Sequence, residues 1–260
     1  MAGQLFVGTS GFAYRDWTPR FYPAGARPAD LLRHYAARLP AVELNNTFYQ
    51  QPRPERIAAW LAQTPDTFRF VVKAQRGGSM RAFGGRAAVA ETVAWLTAPY
   101  RLFGERLGAV LFRVADNVAR DTARLRALLE AWPRDVPLAV EFQHESWQDD
   151  HVFELLGRYE AALCATDLDD RPPPDLRLTA SLLYLRLRRA DYTSADLDAW
   201  AVRLGPFVAD GRDAYVFFRH DARGESALRA VALGERMGRL LGGLTISRHG
   251  QVQPRRPGAR

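Results

Sequence analysis

Cysteine is nearly absent from this 260-residue chain, in which Cys164 is the only one. One cysteine excludes an internal disulfide and a cluster of thiolate metal ligands. The role expected for Cys164 is therefore that of a small, buried hydrophobic residue.

Lysine is equally scarce, because 35 of the 36 basic residues are arginine and Lys73 is the only lysine. Asparagine occurs only at positions 45, 46 and 117. Lysine and asparagine have AT-rich codons, so a GC-rich genome would produce both shortages. Arginine replaces lysine readily on a wet surface, but it does not mimic a compact ammonium whose pKa falls on burial. The retention of one lysine under this bias indicates that Lys73 has a specific role. The alternatives are that it survives by chance or as the partner of a buried ion pair.

Long hydrophobic runs are also missing. No segment approaches the roughly 18 consecutive apolar residues of a membrane-spanning helix. The first residues lead into a short apolar run without the basic and extended apolar regions of a secretory signal peptide. We therefore expect a cytoplasmic protein that does not span a membrane.

The charge is unbalanced, with a formal net value of +7 that suits an anionic partner. Three of the arginines lie in residues 250–260, which we predict to be a disordered basic tail. Elsewhere, residues such as Arg120, Arg124 and Arg126 are spread over helical patterns, as is typical of a solvated surface. Nucleic-acid binding is thus an alternative and not the favoured interpretation.

Eight β-type runs alternate with helical patterns, without a linker or low-complexity insert. The runs cover residues 5–10, 41–48, 68–74, 109–114, 138–144, 161–167, 182–188 and 214–220. The helical patterns cover residues 28–39, 54–61, 88–103, 121–132, 149–159, 194–208 and 224–241. At a length near the roughly 250 residues of this architecture, the alternation predicts a single-domain (β/α)8 barrel of the TIM type over residues 1–249.

The connection after the sixth run is predicted to be irregular. Pro172-Pro173-Pro174 excludes a regular helix there and leaves at most a short turn near Thr179. A doubly wound open sheet is the alternative fold. That fold usually carries a glycine-rich phosphate turn after its first strand, and residues 8–13 do not have the G-x-G-x-x-G spacing. No dinucleotide or other cofactor is expected.

Strand alternation predicts which side chains point into the barrel, because one face of each strand packs against apolar helices. Val42 and Leu44 mark the helix-facing side of the second strand, so Glu43 between them faces inward. The set predicted to face inward comprises Glu43, Asn45, Thr47, Lys73, Arg113, Glu141, Gln143 and Arg186, with Arg188 at the rim and Asp167 at the end of the sixth strand. Barrel active sites are built at this carboxyl-terminal end, although a purely structural ion-pair network is the alternative.

Several motifs covering nearly the whole chain resemble the YecE-like family, domain of unknown function 72. They are residues 7–17, 21–23, 42–49, 68–74, 107–112, 139–142 and 215–218. The resemblance implies a (β/α)8 barrel but no particular substrate, cofactor or reaction. The residues that match the family are Thr9, Tyr14, Trp17, Glu43, Asn45, Thr47, Tyr49, Lys73, Glu141, His144, Trp147 and Asp167.

The chain also departs from the family pattern at the predicted mouth. The departures are Arg113 in place of Gln, Gln143 in place of Arg, Glu145 in place of Pro, Arg188-Arg189 in place of His-Gly, and Arg219-His220 in place of Asn-Asn. Several of them replace a neutral group by a cation. We therefore expect either a shifted substrate or loss of the ancestral activity.

The favoured hypothesis is an enzyme acting on a small anionic substrate that carries phosphate or carboxylate. Opposed carboxylates acquire different pKa values in one pocket, and a desolvated lysine serves as clamp, acid or nucleophile. The catalytic candidates are Glu43, Lys73, Glu141 and Asp167. The substrate-binding candidates are Thr9, Tyr14, Trp17, Asn45, Thr47, Tyr49, Arg113, Gln143, His144, Trp147, Arg186, Arg188 and Tyr192.

Two further functions stay open as alternatives. A metal-dependent phosphodiesterase would draw on Glu43, Glu141, Asp167, His144 and His220, but no H-x-H or H-E-x-x-H spacing occurs and an inward lysine would repel a divalent ion. A non-catalytic nucleic-acid-binding protein would use the arginine-rich rim, with Trp17, Trp147 and Tyr192 as stacking surfaces.

Overall fold

The computed structural model describes residues 2–84 and 88–247, so the predicted basic tail at 250–260 lies outside the described residues. Eight parallel strands form a nearly closed barrel in the order β1-β8-β7-β6-β5-β4-β3-β2. The strands are β1 (Leu5–Thr9), β2 (Ala41–Leu44), β3 (Arg69–Lys73), β4 (Leu107–Val114), β5 (Leu138–Phe142), β6 (Ala162–Asp167), β7 (Leu182–Leu187) and β8 (Asp213–Phe218). The predicted single-domain barrel is confirmed.

Helices follow every strand except the sixth. They are α1 (Leu31–Ala36), α2 (Pro54–Leu61), α3 (Arg76–Phe83), α4 (Val89–Thr97), α5 (Thr122–Ala131), α6 (Asp150–Arg158), α7 (Ser194–Ala209) and α8 (Glu225–Ser247). Among the described residues, no helix combines the length and apolar character needed to cross a membrane.

Helix α3 is the element that sequence reasoning missed. Its Gly77 and Gly78 lower helix propensity, so the pattern there does not predict a helix. A Cβ on Gly78 would lie 2.9 Å from side-chain atoms of both Trp95 and Leu96, so a larger residue would displace these side chains of α4. Tertiary packing therefore outweighs local propensity in this segment.

The strands alternate between two apolar layers, as their pleat requires. Val42, Phe70 and Val140 belong to the large layer between strands and helices. Val71 and Ala139, adjacent to two of them, belong to a smaller cluster inside the barrel. The inner cluster fills the lower part of the barrel and leaves the carboxyl ends of the strands to polar side chains.

The seam between β1 and β2 closes differently from the other strand pairs, because a single bridge between Ser10 and Glu43 joins them. Tyr35 of α1 reaches into this seam, where its hydroxyl accepts from the Thr9 amide at 2.8 Å and donates to the Ala41 carbonyl at 3.0 Å. A Cβ at Gly8 would lie 2.0 Å from that carbonyl oxygen and 2.8 Å from the tyrosine hydroxyl. Glycine at position 8 thus permits the close approach.

The connection between β6 and β7 has no regular helix, as its prolines predict. Its end is fixed by Thr179, whose hydroxyl accepts from the Leu163 amide and donates to the Ala161 carbonyl, both at 2.7 Å. The side chain therefore supplies hydrogen bonds at the start of β6 that a neighbouring strand would otherwise provide.

Candidate functional site

Five charged side chains lie at one level of the barrel, each on the last or next-to-last residue of its strand. They are Glu43 of β2, Lys73 of β3, Arg113 of β4, Glu141 of β5 and Arg186 of β7. This level is the carboxyl-terminal mouth, where barrel enzymes place their reacting groups. We call these five residues together with Arg188, just beyond β7, the mouth cluster.

Arg186 connects the two carboxylates of the mouth cluster. Its Nη2 donates to Oε1 of Glu43 and its Nη1 donates to Oε1 of Glu141, both at 2.8 Å. All three side chains are at least nine-tenths buried. Burial alone would lower the pKa of Arg186, but the two carboxylates raise it well above its usual value, so the guanidinium stays charged.

Glu43 has both carboxylate oxygens engaged by the protein. Oε1 also accepts from the Ser10 hydroxyl and Oε2 accepts from the Tyr184 hydroxyl, each at 2.8 Å. Burial, followed by the charge of Glu43, raises the pKa of Tyr184 well above its usual value, so its hydroxyl remains a donor. Glu43 therefore anchors Arg186 and the strand seam.

Glu141 keeps one oxygen without a hydrogen bond among the described residues. Its Oε1 accepts from Arg186 and, at 3.3 Å, from Thr166, whereas its buried Oε2 lies 3.5 Å from Nε of Arg113 without a hydrogen bond. Burial raises the pKa of Glu141, but Arg186, Arg113 and Lys73 together lower it below its usual value. The side chain is thus an ionised carboxylate with unused acceptor capacity.

The Lys73 ammonium forms no hydrogen bond and no salt bridge within the described part of the chain. Nζ lies 4.4 Å from the centre of the Phe48 ring, and the side chain is 9% exposed. Burial, followed by the positive charge of Arg186, lowers the pKa of Lys73 to about 8, while Glu43 and Glu141 oppose that change. The ammonium therefore titrates close to neutral pH.

Arg188 adds a further cation at the rim. It is partly exposed, and its guanidinium donates to no acceptor among the described residues. Burial, followed by the charge of Arg186, lowers its pKa. Four cations of the mouth cluster thus face two carboxylates, both of which already bind Arg186. The cluster carries excess positive charge that an anion would neutralise.

Asp167 does not belong to the mouth cluster, contrary to the expectation from the sequence. Leu163 and Ala165 of the same strand pack in the helix-facing layer, and Asp167 shares their side of the pleat. Its oxygens accept from Arg189 Nη2 and from the Tyr192 hydroxyl, both at 2.9 Å. The predicted catalytic Asp167 and substrate-binding Tyr192 therefore form a separate buried network.

Trp17 and Trp147 do not wall the mouth, since both are fully buried in the helix-facing layer. Their indole Nε1 groups donate to the Asp221 and Val118 carbonyls, each at 2.8 Å. Tyr192 is only 5% exposed. The stacking surface that the nucleic-acid alternative required is therefore not presented to solvent.

Three other predicted binding residues fix local structure. Thr9 is fully buried, with its hydroxyl donating to the Gly11 carbonyl at 2.7 Å, and Thr47 places its hydroxyl 2.8 Å from the Lys73 carbonyl. His144 accepts from the Ser146 amide at 3.2 Å and thereby caps a short 3-10 turn after β5. Thr47 thus positions the backbone of the single lysine.

Tyr14 and the remaining predicted residues lie around the rim. Tyr14 donates to the Ser10 carbonyl at 2.9 Å and stacks on His220 with 5.0 Å between ring centres. Burial, followed by the charge of Glu43, raises the pKa of Tyr14 to about 12. Gln143 is partly exposed just beyond β5, and Tyr49 is 77% exposed.

Two clefts lie outside the mouth cluster. One of about 440 Å³ separates the loop after β1 from α2 and is lined by Tyr14, Asn45 and Arg56 among others. The second, of about 400 Å³, lies between α5 and α6 and includes Arg126 and Arg158. The α5–α6 cleft is an exposed surface whose lining contains more arginines than carboxylates.

Metal ligands do not converge among the residues that the structure describes. No group of three or more histidine, cysteine, aspartate or glutamate side chains has an arrangement that could hold a metal ion there. Of the five side chains proposed for a metal-dependent phosphodiesterase, Asp167 faces the helix layer and His220 stacks on Tyr14. The described residues therefore lend that alternative no support.

Sequence reasoning missed Ser10, Thr166 and Tyr184, the three hydroxyl donors to the central carboxylates. Tyr184 lies two residues before Arg186 on β7, so the same alternation that placed Arg186 inward could have identified it. Ser10 lies one residue beyond β1, where only the seam geometry shows its contact with Glu43.

Comparison with known proteins agrees with this architecture. The chain is 24% identical to UPF0759 protein YunF of Bacillus subtilis (strain 168) over 86% of this chain and 91% of that protein. A DUF72 family protein from Thermotoga maritima MSB8 aligns with a TM-score of 0.78 and 26% identity, over 90% of this chain and 99% of that chain. A second, from Enterococcus faecalis V583, has a TM-score of 0.69 and 19% identity, over 92% and 98% of the two chains. Because the sequence-family model described as "Protein of unknown function DUF72" matches residues 6–253, the chain belongs to the DUF72 family.

Proposed function

We propose that this protein is an enzyme that acts on a small substrate carrying a phosphate or carboxylate, bound at the carboxyl-terminal mouth of the barrel. The observation that carries the proposal is the excess of cations in the mouth cluster. Among the described residues, Lys73 and Arg188 form no hydrogen bond or salt bridge with a carboxylate, whereas both carboxylates are held by Arg186. Partly buried cations without partners are costly, and a bound anion offsets that cost.

The anionic group of the substrate would bind Arg188 and Arg113. A planar guanidinium donates two parallel hydrogen bonds to phosphate or carboxylate oxygens, and the guanidinium of Arg188 donates to no acceptor among the described residues. Arg113 is one-third exposed and contacts Glu141 only at 3.5 Å, so it too retains donors for a ligand.

Two groups of the mouth cluster suit proton transfer. Lys73, with a pKa of about 8, gives or takes a proton near neutral pH. Glu141 is ionised, and its Oε2 accepts no hydrogen bond from the described residues. Arg186, itself bound to Glu43, holds Glu141 in place through its second hydrogen bond.

A thermal-shift screen of inorganic phosphate, sugar phosphates, dicarboxylates and a short oligonucleotide tests the proposal. We expect small anions to raise the melting temperature of the wild-type protein. Arg188→Gln should weaken their affinity about 10- to 100-fold, since a charge-assisted hydrogen bond contributes about 1.5–3 kcal/mol.

Arg126→Gln is the matched control, because it removes an exposed arginine from the α5–α6 cleft. It should leave the affinity unchanged. The proposal is wrong if Arg126→Gln abolishes binding and Arg188→Gln does not, or if only the oligonucleotide binds.

A further inference from the structure

The single lysine of the chain is held in an unusual setting for an ammonium group. Its side chain is more than nine-tenths buried, yet Nζ lies 4.4 Å from the centre of the Phe48 ring and forms no hydrogen bond or salt bridge with the described residues. Thr47 fixes the main chain beneath it through the Lys73 carbonyl, so the amine is presented from a rigid strand end. The residual exposure of 9% leaves the amine in contact with the mouth.

These surroundings raise the neutral fraction of the amine. Burial and the charges of Arg186 and Arg113 disfavour a proton on Nζ, and Glu43 and Glu141, whose hydrogen bonds go to Arg186, oppose this effect only in part. With a pKa of about 8, a far larger share of Lys73 is neutral near pH 7.5 than of an exposed lysine. A desolvated amine beside other cations is the arrangement that makes lysine a nucleophile toward carbonyl carbon.

We propose that Lys73 forms an imine with the substrate, which is therefore an oxo acid or an aldehyde carrying a phosphate. This inference rests on the proposed function, because Arg188 and Arg113 would hold the carboxylate or phosphate while the carbonyl group meets Nζ. The anionic group also neutralises the positive charge that the imine carries when protonated.

The chemical step balances without an added oxidant or reductant. The lone pair of neutral Nζ forms a bond to the carbonyl carbon, and the carbonyl oxygen takes up a proton to become a hydroxyl. Nζ then gives up one of its two protons, the hydroxyl leaves with that proton as water, and the nitrogen lone pair forms the second bond of a protonated carbon–nitrogen double bond. Glu141 then accepts a proton from the adjacent carbon, the C–H electron pair forms a carbon–carbon double bond, and the C=N pair returns to nitrogen.

Reductive trapping tests the imine on the full chain. The protein is incubated with glyoxylate, pyruvate or glycolaldehyde phosphate and sodium cyanoborohydride, which fixes an imine as a stable secondary amine. Peptide mapping by mass spectrometry then locates the added mass, and the presence of a single lysine separates Lys73 from the terminal α-amino group.

An internal reference comes from Arg239→Lys, which places a second lysine on an exposed position of α8. Within that one chain, we expect Lys73 to be trapped at least tenfold faster than the lysine at 239. Denaturation in urea should abolish the difference, and Arg188→Gln should reduce trapping of the anionic carbonyl compounds at least fivefold.

Three results overturn the inference. In the first, Lys73 is trapped no faster than the lysine at 239, while the protein still binds phosphate in the thermal-shift assay. This result rejects the imine and leaves the proposed anion site intact. A rate advantage that persists in urea shows that the fold does not activate the amine. Loss of both trapping and anion binding in wild-type protein would remove the proposed function as well.

Discussion

Nη2 of Arg186 donates a hydrogen bond to Oε1 of Glu43 at 2.8 Å across the interior of the barrel, in a pair whose side chains are 3% and 0% exposed. The two residues come from β7 and β2, which are not neighbours in the sheet. Their contact therefore spans the lumen, and it orients the second guanidinium nitrogen toward Glu141. The excess charge of the mouth cluster depends on this arrangement.

Removing the central guanidinium should destabilise the fold strongly. Arg186→Met leaves Glu43 and Glu141 buried without their shared cation, which typically costs ~3–5 kcal/mol. Urea denaturation measures the free energy of unfolding. Arg101→Met, which breaks an exposed ion pair with Asp135, is the control and should have a much smaller effect. An equal effect of the two substitutions would contradict the account of the buried pair.

Replacing Lys73 by methionine should stabilise the protein in a pH-dependent manner. The unfolded lysine keeps its proton up to a pKa of 10.5 and the folded one up to about 8, so the unfolded state binds more protons between these values. Lys73 therefore has its full destabilising effect below pH 8. This loss of stability disappears as the pH rises toward 10.5. Contact of the amine with solvent at the mouth limits this cost in stability to an order of 1–2 kcal/mol.

The measurement is the difference in unfolding free energy between Lys73→Met and wild-type protein from pH 7 to 10.5. The variant should be more stable at pH 7, and the difference should shrink above pH 8. A difference that does not change over this range would show that Lys73 titrates as an ordinary lysine.

The Tyr35 hydroxyl should be important for closing the barrel. Tyr35→Phe leaves the Thr9 amide and the Ala41 carbonyl without their partner in a buried seam, at a cost of about 1–3 kcal/mol. Hydrogen exchange should show faster exchange at Thr9, while amides within β6 and β7 keep their protection. Unchanged exchange at Thr9 would show that the seam closes without this hydroxyl.

The Asp167 network should affect stability without affecting ligand binding. Tyr192→Phe removes the hydroxyl that donates to Asp167 Oδ2, which should cost about 1–2 kcal/mol, because Arg189 still binds the other oxygen. The affinity for small anions should stay as in the wild-type protein. A large loss of anion affinity with little change in stability would place Asp167 in the functional site after all.

Strand alternation is the reason that the sequence predicts most of the mouth cluster. Glu43 lies between Val42 and Leu44, so a single register of the pleat puts it inside the barrel. The residues before Asp167 on β6 do not show which face of the strand points inward. Cys164 and Ala165 lie on opposite faces, and both are small and apolar. The prediction that Asp167 faces the barrel interior is therefore wrong. Its side chain is nevertheless fully buried, on the helix-facing side of β6.

Long-range packing limits what the sequence predicts elsewhere. Trp17 and Trp147 occur in loops after strands, where an aromatic residue can equally wall a pocket or fill the core. Their partners, the Asp221 and Val118 carbonyls, are 204 and 29 residues away in the chain, so no local pattern reveals their burial. The same applies to Tyr184, whose acceptor Glu43 is 141 residues away.

The most direct test of the central claim is a crystal structure of the protein soaked with an anomalously scattering oxyanion such as tungstate. We predict an anomalous peak at the mouth of the barrel, within hydrogen-bonding distance of Lys73 Nζ and the Arg188 guanidinium. A peak beside Arg126 and Arg158 in the α5–α6 cleft, with no anion at the mouth, would contradict the account.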